Sequence, residues 1–295
     1  MAMHDAKSFT IALGGRWHGR YGTAPCPVCQ PDRRRDQDAL TLTDGHTGLL
    51  LNCKRLGCSF CDVLLAAGIR GGAYRRPDPT TIAQRELDCR ADLAKRQEQA
   101  RALWKDAQLI GGTMAELYLR KRGITCPLPM TLRFHPNCWH HATRQRLPAM
   151  LALVEGSDSF AIHRTWLNAD GSGKAMVQPT KAMLGAVAGG AVRLSEGSPS
   201  LVAAEGIETA LSLLCGLLPE PATILAALST SGLRSLRLPT QPGRLTVACD
   251  GDGAGRDAAI RLAERAHALG WQVTTIDPGD GADFNDVLMS RKDAA

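Results

Sequence analysis

The sequence predicts an α/β protein: a C-terminal parallel sheet with flanking helices, preceded by a mixed α+β middle region and a small β unit. Three observations predict it. Hydrophobic strand patterns alternate with helical stretches between Leu201 and Arg291, short strand signals fill Met130 to Val192, and cysteine pairs bracket a hairpin pattern in the first 70 residues. The expected segments are a ribbon over 1–70, a linker over 71–84, a basic helical and α+β region over 85–198, and the parallel-sheet domain over 199–295.

At 295 residues the chain has room for two domains or for one with a smaller appendage. An apolar fraction of 44% and a charged fraction of 22% argue against general disorder. Apolar runs fall short of a membrane span, and Met1 to Thr10 lacks the basic start and apolar run of a signal peptide, so a cytoplasmic location with no membrane partner is expected. The net charge of +6 favours acidic partners. The segment Arg85 to Arg146 holds 12 Arg/Lys against 6 Asp/Glu, a net charge equal to that of the whole chain.

Ten cysteines without an export signal are expected to be reduced, some as metal ligands. Cys26-Pro27-Val28-Cys29 is a C-x2-C knuckle, followed by Cys53, Cys58 and Cys61. Between the cysteines, Ala39 to Thr43 and Gly48 to Asn52 read as strands joined at Asp44-Gly45-His46. Two knuckles joined by a hairpin make a zinc ribbon, closed by four thiolates around one structural Zn2+. Cys26, Cys29 and Cys53 are the first three ligands. The fourth is Cys58 or Cys61; Cys58 is favoured because Cys61 opens an apolar helical stretch to Ile69. Cys89, Cys126, Cys138, Cys215 and Cys249 are isolated and read as inert thiols.

Gly71 to Thr81 is rich in Gly, Pro and charge, as linkers are. Ile82 to Gly111 reads as a charged helix, and Ala115 to Arg122 as a second one ended by Gly123. Strands follow at Leu132–His135, Ala149–Val154 and Ala161–Leu167. Gly171-Ser172-Gly173-Lys174 lacks the first glycine and the Ser/Thr of a phosphate-binding loop, so it reads as a hairpin turn. His135, His140, His141 and His163 read as packing or surface residues.

In the C-terminal part, Leu201–Ala204 runs into Glu205-Gly206, and Arg244–Cys249 into Asp250-Gly251-Asp252-Gly253. Val273–Ile276 leads to Asp283-Phe284-Asn285-Asp286. Helices are expected at Ala210–Leu218 and Arg256–Leu269, a further strand at Thr223–Leu228, and a loop at Ser229-Thr230-Ser231-Gly232. Reactive groups collect at the carboxyl ends of strands in such sheets, so these carboxylates are expected to share one crevice, a place to hold Mg2+.

Glu205-Gly206 after a strand, with Asp250-Gly251-Asp252, Gly253 and Gly255, resembles the Toprim domain of bacterial-type primases, topoisomerases and certain nucleases. With the ribbon in front, the chain resembles phage- and plasmid-encoded primase-like proteins. Ala115 to Ile124, Leu132 to Pro136 and His163 to Leu167 are similar to the middle region of that group. The resemblance implies a Toprim-type sheet at 199–295 and a primase-like N-terminal subdomain before it. It implies Glu205, Asp250 and Asp252 as catalytic, metal-binding acids, with Asp283 and Asp286 completing a site for one or two Mg2+ or Mn2+.

The implied activity is that of a DNA primase, a nucleotidyltransferase making RNA primers from NTPs on single-stranded DNA, partnered by a separate replicative helicase. Candidate phosphate contacts are Arg120, Lys121, Arg122, Arg164, Lys174 and Lys181, with the basic run Arg33-Arg34-Arg35 beside the ribbon. The alternatives are a metal-dependent nuclease using the same acids and a non-catalytic nucleic-acid-binding adaptor.

Overall fold

The computed structural model describes residues 5–32, 34, 37–69, 74–196 and 200–293. The chain divides into two units, Met1–Leu93 and Ala94–Ala295.

In the first unit, helix α1 (Ala6–Ala12) starts from a reciprocal cap: Asp5 accepts the Ser8 N–H at 2.8 Å and Ser8 Oγ accepts the Asp5 N–H at 3.0 Å. Strands β1 (Arg16–Trp17), β2 (Tyr21–Ala24), β3 (Leu40–Asp44) and β4 (Leu49–Cys53) form one antiparallel sheet in chain order. The expected hairpin is β3–β4, with Leu40 opposite Cys53. The alternation expected of a one-sided sheet sends Leu40 and Leu42 to a core with Phe9, Leu13 and Val63. Val63 comes from α2 (Phe60–Ala66), capped by Ser59.

Helix α3 (Pro79–Asp106) begins inside the segment read as a linker; residues 70–73 of that segment lie outside the described residues. The reason is local: Arg85 ion-pairs with Asp5 and with Asp44 and lies 5.3 Å over the Trp17 ring, which anchors the first turns of the helix.

The second unit contains two sheets. After β5 (Gln108–Leu109) and α4 (Met114–Lys121), strands β6 (Leu132–His140), β7 (Gln145–Val154), β8 (Ala161–Trp166) and β9 (Lys181–Leu184) complete an antiparallel sheet, β5-β6-β7-β8-β9. Then come β10 (Val192–Arg193), β11 (Ser200–Ala204), α5 (Ile207–Ser212), β12 (Thr223–Ala226), α6 (Thr230–Ser235), β13 (Arg244–Ala248), α7 (Gly253–Ala268), β14 (Gln272–Ile276) and α8 (Phe284–Asp293). Their sheet has the order β10-β12-β11-β13-β14, parallel throughout except for β10 at one edge.

The strand alternation explains the uninterrupted hydrophobic runs. Leu201, Ala203, Leu245 and Val247 face α6 and α7, whereas Val202, Ala204 and Ile224 face a core shared with α5, α8 and the antiparallel sheet. Both faces are covered, so both sets of side chains are apolar.

Several expectations need correction. The helix expected at Ala210–Leu218 starts earlier, at Ile207, and gives way after Ser212 to a wider turn, Leu213–Leu217. Gly216 at φ 95° breaks it, a conformation that a side chain would strain. The expected loop Ser229–Gly232 is the start of α6, where Ser229 Oγ accepts the Gly232 N–H at 3.0 Å. The two-residue β10 is too short to leave a periodic signal. The boundary expected at 198/199 lies outside the described residues.

Asn285, 2% exposed, donates from Nδ2 to Arg122 O at 2.7 Å and to Ser212 Oγ at 2.9 Å, tying the ends of α4 and α5 to α8. Asn285→Ala leaves both acceptors buried without their donor. It is expected to cost about 1–3 kcal/mol in urea unfolding, against less than about 0.5 kcal/mol for Ser290→Ala on the exposed side of the same helix.

Candidate functional site

The carboxylate site is built from strand ends and from two loops held together by their backbones. Glu205 directly follows β11, and its carbonyl accepts the Leu228 N–H at 2.7 Å. Leu228 has φ 73°, a left-handed conformation of the kind that clusters at functional sites. The Glu205 carboxylate accepts the backbone N–H of Thr230, the first residue of α6.

Asp250 follows β13, and Thr209 Oγ1 donates to its Oδ1 at 3.4 Å. Gly251 then lies so close to the 279–282 loop that a Cβ there would fall 1.8 Å from Gly279 O. The contact is made by hydrogen bonds from Gly251 N to Ala282 O (2.8 Å) and from Gly281 N to Gly251 O (2.9 Å). Arg256 clamps the same loop through Asp277 and Asp280, each at 2.7 Å, so those two acids are occupied. This latch delivers Asp283 to the neighbourhood of Asp250, whose acidity it perturbs.

Crowding shows in the acidities. Burial, reinforced by Asp250 and Asp252, pushes Glu205 up to about 6, against the relief given by Lys181 and the Thr230 N–H. Burial, with Asp283 and Asp252, also raises Asp250. Carboxylates that raise one another gain from a cation between them. Their hard oxygen donors fit Mg2+, which takes one or two carboxylates and keeps water or phosphate in its other positions.

The acids are not equivalent. Asp252 is exposed and caps α7 through its Oδ1, which accepts the Gly255 N–H at 2.6 Å. Asp283 and Asp286 form a reciprocal cap on α8: Asp283 Oδ1 accepts the Asp286 N–H at 2.9 Å, and Asp286 Oδ2 accepts the Asp283 N–H at 3.0 Å. Asp283 Oδ1 also accepts the Asn285 N–H at 2.7 Å, so both acids are engaged by backbone; Asp283 is the one that raises Asp250.

Next to these acids is an ion pair that sequence reasoning missed. Glu208, 6% exposed on α5, accepts from Lys174 Nζ at 2.8 Å and from the Tyr118 hydroxyl at 2.6 Å. Burial opposes its ionisation, but Lys174 and Tyr118 outweigh it and hold the carboxyl at about 2. Burial keeps the nearby His163 neutral, down to about 4, and its Nδ1 is buried without a hydrogen-bond partner. Glu208 lies three residues after Glu205, in the first turn of α5.

The basic candidates separate accordingly. Lys181 and Lys121 have exposed side chains, and Lys181 acts on both Glu205 and Asp250. Lys174 is committed to Glu208. Arg120 is bound to Glu116 and to the carbonyls of Ile124 and Cys126, which closes the end of α4. Arg122 is half-buried beside Tyr118, and Arg164 lies 5.0 Å over the Trp166 ring and donates to Met183 O at 3.4 Å. Arg101, Arg133 and Arg146 likewise cover Phe160, Trp104 and Trp139, so much of the basic excess serves packing.

In the first unit the four sulfurs of Cys26, Cys29, Cys53 and Cys58 all lie within 4.8 Å of one another, the one such group of potential metal ligands among the described residues. Cys29 Sγ and Cys53 Sγ are 3.6 Å apart, close to the edge of a tetrahedron with bonds of about 2.3 Å, so the four thiols fit Zn2+. Backbone N–H groups of Leu56, Cys58 and Arg55 point at Cys53 and, against its burial, bring the thiol down to about 6. Burial and the neighbouring Cys53, Cys26 and Cys58 push Cys29 up to about 12. Cys61 is exposed in the first turn of α2, outside the cluster. Arg33 and Arg35 lie outside the described residues.

Residues 200–294 match the Toprim domain family, and residues 94–194 match a domain of unknown function, DUF7146. No curated protein matches. Among solved structures, a DNA primase domain from Pseudomonas aeruginosa is similar at 16% identity and a TM-score of 0.42, over 66% of this chain and 74% of that one. The zinc-binding and RNA polymerase domains of the Aquifex aeolicus primase give 12% and 0.40, over 96% and 79%. The primase fragment of the bacteriophage T7 primase-helicase protein gives 12% and 0.27, over 92% and 96%. No helix among the described residues is long and apolar enough to cross a membrane.

Because the folded Glu208 is more acidic than the same group unfolded, its ion pair stabilises the protein above about pH 4.5 and ceases to do so as pH falls through about 2. Glu208→Gln is therefore expected to lower the urea midpoint at pH 7 and to lose most of that penalty near pH 2. An equal penalty at both pH values contradicts the ion pair.

Proposed function

From the Toprim match over residues 200–294, we propose that this chain is a DNA primase-like nucleotidyltransferase that joins ribonucleotides on single-stranded DNA. The observation that carries the reading is the pair Glu205 and Asp250, half-buried at the carboxyl ends of adjacent strands and both made weaker acids by burial and by neighbouring carboxylates, in a Toprim domain whose chain also bears a four-thiol cluster.

In this reading Glu205 and Asp250 hold Mg2+ or Mn2+, Asp283 completes the set, and Asp252 contributes from the N-terminus of α7. Bound there, one or two such ions neutralise charge on a phosphoryl group and on the oxygens entering and leaving it. The 3′-hydroxyl of one nucleotide attacks the α-phosphate of the next, and pyrophosphate leaves. Lys181, exposed and within electrostatic reach of both acids, meets the triphosphate, and Lys121 contacts template or primer backbone. Lys174, Glu208 and Tyr118 act from behind, fixing α5 and therefore the Gly206–Thr209 segment that carries the hydroxyl facing Asp250. The latch between Gly251 and the 279–282 loop keeps Asp250 and Asp283 on one side of the crevice.

The four cysteines hold one structural Zn2+, and their unit helps select the template. A separate helicase is the expected partner in replication, and the cytoplasm the expected location.

Primer synthesis on single-stranded DNA with NTPs and Mg2+ or Mn2+ tests the reading. Labelled oligonucleotides should appear, and Asp250→Asn should reduce them on the order of 100- to 1,000-fold while circular dichroism and zinc content stay unchanged. Shortened DNA instead of primers identifies a nuclease, and binding without either product identifies an adaptor; both overturn the proposal. About one zinc per chain is expected, with Cys26→Ser releasing it.

A further inference from the structure

A pair of cysteines read from sequence as isolated and inert is brought together by the fold, away from both candidate metal sites. Cys215 lies in the wide turn that follows α5, and Cys126 in the segment that follows α4. Two backbone N–H groups converge on Cys215 Sγ, from Thr125 at 3.3 Å and from Cys126 at 3.4 Å. Each thiol also perturbs the ionisation of the other, so the two side chains are neighbours. The backbone nitrogen of Cys126 lies 3.4 Å from the Cys215 sulfur, and the Cys126 thiol itself reaches Leu211 O at 3.9 Å, at the end of α5 just before the turn that holds Cys215.

We propose that Cys126 and Cys215 form a peroxide-reactive dithiol, with Cys215 as the attacking sulfur and Cys126 as the one that resolves it. This role is independent of the phosphoryl chemistry proposed above. Directed N–H groups stabilise a thiolate as they would an oxyanion, and a thiolate is the form that attacks peroxide. The pair is asymmetric in the required sense. Burial opposes ionisation of Cys215, but the N–H groups of Cys126 and Thr125 outweigh it. Burial and the neighbouring Cys215 push Cys126 up to about 12. Arg120, which donates to Cys126 O at 2.9 Å, is the nearby cation. Both cysteines are half-buried and open to a small oxidant, whereas Cys138 and Cys249 are buried.

The step balances with hydrogen peroxide as the oxidant. The Cys215 thiolate attacks one peroxide oxygen, the O–O bond breaks, and the departing hydroxide takes up a proton to become water, leaving a sulfenic acid. The Cys126 sulfur then attacks that sulfur; its proton and the sulfenic hydroxyl leave as a second water. Two thiols are oxidised by two electrons and one peroxide is reduced to two waters. The resulting bond fastens the segment after α4 to the end of α5, the helix that begins immediately beyond Glu205.

The test treats the full zinc-loaded chain with one equivalent of hydrogen peroxide, blocks the remaining thiols, and maps peptides by mass spectrometry without reduction. A peptide joining Cys126 to Cys215 is expected. In Cys126→Ser, dimedone should trap a sulfenic acid at Cys215 at least about tenfold faster than at Cys89, a half-buried helical thiol. In Cys215→Ser, Cys126 should remain unlabelled. In the wild type, Cys215 should be the first thiol consumed, a readout that needs no variant to fold. Labelling of Cys215 no faster than Cys89, or its consumption without the Cys126 link, overturns the proposal.

Discussion

A carboxylate with 6% exposure stays ionised here only because an ammonium and a phenol surround it. Glu208 belongs to α5 of the parallel sheet, Lys174 to the turn after β8, and Tyr118 to α4, so one buried charge obliges three separate segments to meet. Removing any partner strands a charge in a poorly solvated place, which is how a buried pair enforces an arrangement even when its net stabilisation is small. Asn285 repeats the constraint with neutral groups one layer away, joining α4, α5 and α8. Glu205 and Thr209 belong to the segment so fixed, and the carboxylate crevice inherits its geometry from them.

The crevice itself reflects a division of labour among acids of similar appearance. Asp277 and Asp280 are spent on Arg256, Asp286 on a backbone N–H, and Asp252 and Asp283 partly on capping α7 and α8. Beyond burial, Asp250 and Asp252 raise Glu205, and Asp283 and Asp252 raise Asp250, and this repulsion is the physical reason to expect a cation among them. The latch at Gly251 matters because Asp283 arrives from a different loop, and any side chain there would push that loop away.

Much of this was legible before the fold was known, for reasons that differ from residue to residue. The parallel strands announced themselves because both faces are covered, so Leu201–Ala204 and Arg244–Ala248 read as apolar runs ending in acids. The Cys26–Cys29 knuckle and the β3–β4 hairpin are local features, visible at short range. Cys58 is distinguishable from Cys61 in the sequence because Cys61 opens a helical stretch, and the sulfur geometry groups Cys58 with the other three. Long-range pairings left no such trace. Nothing near Lys174 marks Glu208 as its partner, and nothing near Cys126 marks Cys215. Arg120, Arg164 and Lys174 read as phosphate ligands because a charge pattern cannot show that its members already face carbonyls, aromatic rings or a carboxylate. Asp283 and Asp286 are indistinguishable by spacing and share the cap on α8; only the effect of Asp283 on Asp250 separates them.

Glu205, Asp250 and Asp283 are proposed to hold one divalent cation. Crystals of the full chain grown with Mn2+ test that proposal most directly, through an anomalous difference map recorded at the manganese edge. A peak bonded to Glu205 and Asp250 is expected, with Asp283 oxygen in the same coordination sphere and Asp286 still turned to the Asp283 N–H. Manganese bound only elsewhere, or a crevice free of manganese at saturating concentration, would contradict it.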